Sequence, residues 1–380
     1  MEYALTFEES EIRKEVARFA RERILPRQRE IEGAGTLPPD LMEEFLGLGI
    51  LSLPFPEEAG GLSGTFTAMM LACSELAYAS MVPPNMILEN FVLAWPLFTY
   101  GTPEARERFL PDLLSMKAVG ALAFTEPDTG SDPRQLTTVA KKAEGGWIIN
   151  GCKRFITYSA ICHQMIVFAK TETGGVQAFL VESCRPGYKV GKRESFSHMK
   201  VDNGDVFLDN YFAPDAHAIG TPEQGFEVLL KAEGLGKIGF CAIYAGVARR
   251  AVDIALSYAN TRMHRDKPIG VKFQMIQEKI ARMAVHAESM NAYLTRVCAK
   301  VDKGEDTFWE AAVLKILTAQ GIRRIADDCM EIHGAYGLSD EYEASRIFAL
   351  SAAAPVVMGS LDIQRVIVSR TLLAAGRYGG

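Results

Sequence analysis

The chain has 380 residues, 48% hydrophobic and 23% charged, which allows several layers around a core and excludes a disordered or collagen-like polymer. A net charge of -6 argues against a nucleic-acid partner, since phosphate binding needs a basic excess and Lys141-Lys142 and Arg249-Arg250 are only short pairs. Apolar runs such as Ile238 to Ala248 stop short of the roughly 18 residues of a membrane span, so a soluble chain is expected.

The pattern is helical from Glu8 to about Met116, and Met1 to Arg21 reads as part of a first helix rather than a signal peptide. Glu8 to Glu30 is amphipathic, Pro38-Pro39-Asp40 caps a helix through Leu41 to Leu48, and Thr67 to Tyr78 and Glu104 to Met116 follow. Near Gly120 the texture changes. Short β-branched or aromatic runs at 146–151, 165–169, 177–181 and 205–208 predict a small antiparallel β domain, with Asn150-Gly151 as a tight turn. After Pro222 long helices return at 225–259, 272–303, 307–333 and 359–375, broken at Gly270, Gly304 and Gly334 to Gly337. They are long and apolar enough to predict a bundle that continues into a partner subunit. The expected architecture is an N-terminal helical domain (1–117), a barrel-like β domain (118–224) and a C-terminal four-helix bundle (225–380).

Gly234-Leu235-Gly236-Lys237-Ile238-Gly239 fits a dinucleotide fingerprint, but no strand precedes it, so a close helix crossing or a ligand-facing break is the better reading. Seven scattered cysteines without a Cys-x-x-Cys pair, and six dispersed histidines, predict small buried thiols in a reducing cytoplasm and no metal.

Two motifs carry the chemistry. Phe124-Thr125-Glu126-Pro127-Asp128-Thr129-Gly130-Ser131-Asp132 offers hydroxyls and backbone N–H groups in a Gly/Pro loop, suited to a planar ring and a phosphate-rich ligand. Asn150-Gly151-Cys152-Lys153-Arg154-Phe155-Ile156-Thr157 adds an aromatic face and a hydroxyl. Together they resemble the acyl-CoA dehydrogenase family, whose pattern is Thr-Glu-Pro-x-x-Gly-Ser-Asp followed by Asn-Gly-x-Lys-x-(Trp/Phe)-Ile-Thr. The resemblance extends to Pro54 to Gly61, Arg262, Lys267-Pro268-Ile269, Phe273-Gln274, Ile332 to Gly337 and Ile363-Gln364-Arg365. It implies non-covalent FAD, with Phe124, Thr125, Phe155, Thr157 and Ser360 at the flavin and Ser131 contacting CoA. It also implies that Arg262, Gln274, Glu331 and Gly334 hold the pyrophosphate and adenosine, partly across a subunit interface. Lys237, Val357 and Gly359 fall at substrate-binding positions. A homotetramer and an electron-transfer flavoprotein acceptor follow from the same resemblance.

In the family's usual reaction a carboxylate removes the proton α to the thioester carbonyl. The position of that glutamate is Met358 here, and the alternative position is Gly236; neither accepts a proton. The backbone N–H of Met358 survives the change, so it remains a candidate oxyanion donor. Ungapped alignment puts Glu89 on the helix lining the far acyl pocket, among Met86, Val92 and Trp95, where burial would raise its pKa and suit a general base. The expected substrate is an unsaturated, cyclic carboxyl-CoA thioester, losing a γ proton. The alternatives are an enoyl-CoA reductase, an elimination enzyme, or a flavin- or CoA-binding protein without turnover.

Overall fold

A capping box starts the first helix. The Thr6 hydroxyl accepts from the Glu9 N–H at 3.1 Å while the Glu9 carboxylate accepts from the Thr6 N–H at 2.9 Å, so α1 begins at Phe7 and runs to Phe19. The structure, a computed structural model, describes residues 4–194 and 200–376, leaving the first three residues of the expected leading segment outside. The stretch expected as one helix to Glu30 is segmented. A π turn (Ala20–Ile24) and a 3-10 turn (Leu25–Arg27), where Pro26 lacks an N–H, precede α2 (Gln28–Ala34).

Next come α3 (Pro39–Gly47), α4 (Phe66–Ala79), α5 (Val82–Tyr100) and α6 (Pro103–Leu114). Helices α4 and α5 are apolar on all sides and buried through most of their length, so they form the centre of the N-terminal half. α5 carries Pro83 and Pro84 in its first turn, where a missing N–H costs nothing.

Among the described residues eight strands lie between Gly120 and Ile219: β1 (Gly120–Ala123), β2 (Val139–Ala143), β3 (Gly146–Thr157), β4 (Gln164–Thr171), β5 (Val176–Glu182), β6 (Tyr188–Arg193), β7 (Asn203–Pro214) and β8 (Ala218–Ile219). Their order is β6-β7-β3-β2-β4-β5-β8, with β1 also on β4. The sheet is mixed rather than purely antiparallel. β1 pairs parallel with β4 over Gln164 to Val167, and β2 pairs parallel with it at Lys170 and Thr171. The two follow each other along one edge of β4, and segment 124–138, which carries the first motif, loops out between them.

Asn150-Gly151 is not a turn. It lies inside β3 at a bulge, where Asn150 Oδ1 accepts from the Asn210 N–H at 2.8 Å and Gly151 sits against Thr138 too closely for a side chain. The β2–β3 hairpin turns instead at Glu144-Gly145, with Gly145 at φ +70°.

The C-terminal half contains α7 (Gly225–Thr261), a two-residue ribbon of β9 (Met263–His264) and β10 (Lys267–Pro268), then α8 (Ile269–Lys272), α9 (Gln274–Asp302), α10 (Phe308–His333), α11 (Ala344–Ser351) and α12 (Leu361–Ala375). Gly234 to Gly239 lie within unbroken α7 at its crossing with α5, where Leu88 would be 2.4 Å from a Cβ on Gly239. One core joins the halves, with Phe19, Leu41 and Phe91 in the same apolar cluster as Ile238, Leu294 and Leu314. Asp302, at the end of α9, accepts from the Phe66 N–H at 2.6 Å and the Thr67 N–H at 3.1 Å, capping α4. Among the described residues no helix is long and apolar enough to cross a membrane.

A fully buried ion pair clips loop 124–138 to β3. Lys153 Nζ donates to Glu126 at 2.8 Å, both side chains being 0% exposed, and also to the Phe124 and Phe168 carbonyls. Burial pushes the Glu126 carboxyl up, but the Lys153 charge and bonds from Lys153, Thr137 and Thr138 outweigh it and hold the pKa at about 2. Lys153→Met leaves that carboxylate without its cation and is expected to lower stability by about 3–5 kcal/mol. Urea unfolding at pH 7 measures the loss, and one below about 1 kcal/mol would show that the pair is not the clip. Because the folded pKa lies below the ordinary carboxylate value of 4.5, the Glu126 carboxylate's contribution is complete above that pH and lost as pH falls toward 2.

Candidate active site

The two motifs meet through their backbones. The Arg154 N–H donates to the Thr125 carbonyl at 2.7 Å, beside the Lys153–Glu126 pair. Between Lys153 and Ile156 the register of β3 against β7 slips, and Phe155 adopts φ +57°. The bulge leaves the Phe155 residue 50% exposed next to buried Ile156, with half-buried Thr157 following. Asn203 on β7 donates to the Phe155 carbonyl at 3.3 Å and to the Thr157 hydroxyl at 3.4 Å. Phe124 and Thr125 are half-buried on the same clasp, while Ser131 lies on the exposed outer part of the loop.

Glu89 projects from α5 toward this wall. Burial pushes its carboxyl up to about 8, opposed by a hydrogen bond with the Thr157 hydroxyl. One turn back, Asn85 donates to the Tyr158 hydroxyl at 3.3 Å, so α5 and the end of β3 share a polar seam. One turn forward, Val92 touches Gly236: a Cβ there would be 2.9 Å from Val92 and 2.3 Å from the Met358 methyl. The two usual base positions therefore pack against each other, Met358 filling the space that Gly236 leaves.

Met358 sits in the turn between α11 and α12 at φ +55°, followed by Gly359 at φ +82°. Gly359 is crowded as well as left-handed, since a Cβ would stand 2.5 Å from the Gln364 amide and 2.7 Å from Glu233. Buried Lys237 lies 3.5 Å from Glu233 on the same face of α7. Val357 is 40% exposed, and the Ser360 hydroxyl accepts from the Ile363 N–H to cap α12. Among the described residues the Met358 N–H makes no hydrogen bond.

Arg262, Gln274, Glu331 and Gly334 form a separate group. Arg262 lies over the Tyr336 ring at 5.6 Å, Glu331 pairs with Lys279, and all four residues are exposed. Gly236 and Arg262 are about 39 Å apart along α7 at 1.5 Å per residue, so this group is not part of the Glu89 wall within one chain. Reasoning from sequence missed Asn203, Asn85 and Tyr158, which carry no motif signal. It also missed Lys315, a lone charge in the apolar run Ala311 to Thr318 of α10.

The wall suits a flavin. It presents a half-exposed aromatic ring beside a hydroxyl, and Asn203 Oδ1 and both Gln364 amide atoms are buried without partners among the described residues. The chain matches the N-terminal, middle and C-terminal domains of acyl-CoA dehydrogenase over residues 6–117, 121–211 and 223–373. It is 30% identical to the 3-(aryl)acrylate reductase of Clostridium sporogenes, over 96% of this chain and 99% of that one. The structure of butyryl-CoA dehydrogenase from Megasphaera elsdenii superposes with a TM-score of 0.93 at 28% identity, covering 98% of this chain and 100% of that one. PigA with FAD and proline gives a TM-score of 0.93 at 26% identity, covering 99% and 100%. Matched by all three domains and sharing this fold throughout, the chain belongs to the acyl-CoA dehydrogenase family, FAD-dependent oxidoreductases that act on CH–CH groups.

Proposed function

We propose that the chain dehydrogenates an unsaturated, cyclic carboxyl-CoA thioester, with Glu89 as the base that takes a γ proton. The observation that carries this reading is the Glu89 carboxyl beside Thr157, while Met358 and Gly236 pack together where a base would otherwise stand. In a saturated thioester only the α proton is acidified. In a 1-ene thioester the double bond relays that acidity to the γ carbon, because the anion formed is a conjugated dienolate. The Met358 N–H donates to the thioester oxygen where negative charge develops, and a ring holds the γ C–H against Glu89 without the mobility of an open chain. Loss of the γ proton and of a hydride from another allylic ring carbon yields a conjugated cyclic dienoyl-CoA, and FAD, when bound, accepts that hydride. Phe124, Thr125, Phe155, Thr157 and Ser360 orient its ring, and Ser131, Lys237, Val357 and Gly359 hold the thioester. We assign Arg262, Gln274, Glu331 and Gly334 to the FAD pyrophosphate and adenosine of a partner copy in a homotetramer, with an electron-transfer flavoprotein as electron acceptor.

A second reading, reduction of an enoyl-CoA, draws support from the same carboxyl: with a pKa near 8 it is protonated at neutral pH and suited to donate. It is also the direction named for the Clostridium sporogenes relative.

Glu89→Gln is expected to keep FAD and ligand binding but lose turnover of cyclohexene-carboxyl-CoA by roughly 10² or more. Near-normal turnover by that variant, or no reaction of the wild type with any cyclic enoyl-CoA, would sink the base assignment. The pH profile separates the two directions. For dehydrogenation the carboxylate is the active form, so kcat/KM rises through about pH 8 and levels above it; for reduction it falls over the same range. Butyryl- and octanoyl-CoA should be poor substrates by a factor of about 10²–10⁴, and Met358→Glu should raise their oxidation. Ordinary rates with either saturated thioester in the wild type would overturn the placement of the base.

A further inference from the structure

Lys315 is a buried lysine, 1% exposed, on α10. Its ammonium donates to the Ala354 carbonyl at 2.6 Å and to the Val357 carbonyl, and lies 4.3 Å from the centre of the Phe240 ring. Glu233, Lys237 and Cys241 on α7 are its charged and titratable neighbours, and burial pushes its pKa down to about 8, leaving it largely protonated at neutral pH. Both carbonyls belong to the turn between α11 and α12. The Tyr244 hydroxyl holds the end of α11 through the Leu350 carbonyl at 2.7 Å, and the Leu361 N–H on the Pro355 carbonyl at 2.9 Å closes the turn that follows.

The Val357 carbonyl and the Met358 N–H are opposite ends of one peptide unit. A trans peptide is planar, so its C=O and N–H point in opposite directions. A cation held on the oxygen therefore turns the N–H away from Lys315. It also draws electron density toward the oxygen, which strengthens the N–H as a donor, as happens along a hydrogen-bonded chain. We propose that Lys315 is a positioning residue for the reaction, orienting and polarising the Val357–Met358 peptide so that its N–H donates to the thioester oxygen. This rests on the reading of Met358 N–H as the oxyanion donor. Two left-handed residues in succession, Met358 and Gly359, hold the peptide in that attitude, and the Lys315 side chain crosses from a different helix to meet it.

The test uses the FAD-loaded enzyme and cinnamoyl-CoA, whose long-wavelength absorption moves to the red when its carbonyl is polarised. Wild-type protein should bind it with a red shift. Lys315→Met should bind it with less than about threefold change in affinity, lose most of the shift, and lose about tenfold to a hundredfold in kcat with little change in KM. Lys315→Arg, which keeps a cation and donors, should recover part of both. Lys315→Gln keeps a donor without charge and should fall between, which carries the test if the methionine variant does not fold. An undiminished shift in the methionine or glutamine variant overturns the role of Lys315 while leaving the oxyanion reading intact. No shift in the wild type on saturating cinnamoyl-CoA would mean that the Met358 N–H does not polarise the carbonyl, and both fall together.

Discussion

Removing a lysine ammonium and a carboxylate from water is costly unless their remaining hydrogen-bonding capacity is met inside the protein. Lys153 and Glu126 meet it. The ammonium donates to the carboxylate and to two main-chain carbonyls, and the carboxylate also accepts from the Thr137 and Thr138 N–H groups and the Thr137 hydroxyl. The geometry leaves little freedom. Segment 124–138 interrupts a strand line along β4, and without an anchor it would be a long surface loop. The pair draws its start onto β3 so that Thr125 lies beside Arg154, next to the bulge that exposes Phe155. Every wall proposed to face the flavin depends on that juxtaposition.

At the two usual base positions the site is defined by what it lacks. A methionine lying on a glycine gives an apolar contact where an acid would be expected, and Val92 packs against the same glycine. The polar groups lie on the neighbouring turns of α5, where Glu89 meets Thr157 and Asn85 meets Tyr158 at the end of β3. The proposed proton acceptor and the proposed oxyanion donor thus stand on different elements, a helix and a turn. Each is held by packing from several directions, which keeps reacting groups in register better than mobile loops do.

Much of the fold was legible because the long helices repeat their apolar residues at helical spacing and the motifs stand in order. The failures have specific causes. Asn150-Gly151 has the residues of a tight turn, yet the same asparagine can bind a neighbouring strand's N–H, and tertiary pairing with Asn210 chose that option. The parallel pairing of β1 and β2 with β4 is invisible locally, because a strand interrupted by an excursion reads as two short strands. Helix α5 hid behind Pro83, Pro84 and Pro96 and an even spread of apolar residues that leaves no amphipathic period. Of the candidate site, resemblance pointed to Glu89, but the contact of Met358 with Gly236 and the grip of Lys315 on the turn before α12 join residues far apart in sequence. A lone lysine amid Ala312, Leu314 and Leu317 was the one available clue.

The cap that Asp302 places on α4 has a consequence for how the chain comes into being. The first turn of α4 takes its charged partner from a residue 235 positions downstream, and the apolar surface of the early helices is completed by side chains from α9 and α10. During synthesis at about 5–20 residues per second, that partner emerges roughly 10–50 seconds after the helix it serves. Throughout that interval α4 and α5, with almost no charged face of their own, stand as sticky surface in the crowded cell. The N-terminal third is thus a debtor to the last, and its uncovered apolar helices leave the unfinished chain prone to aggregate until the far helices arrive.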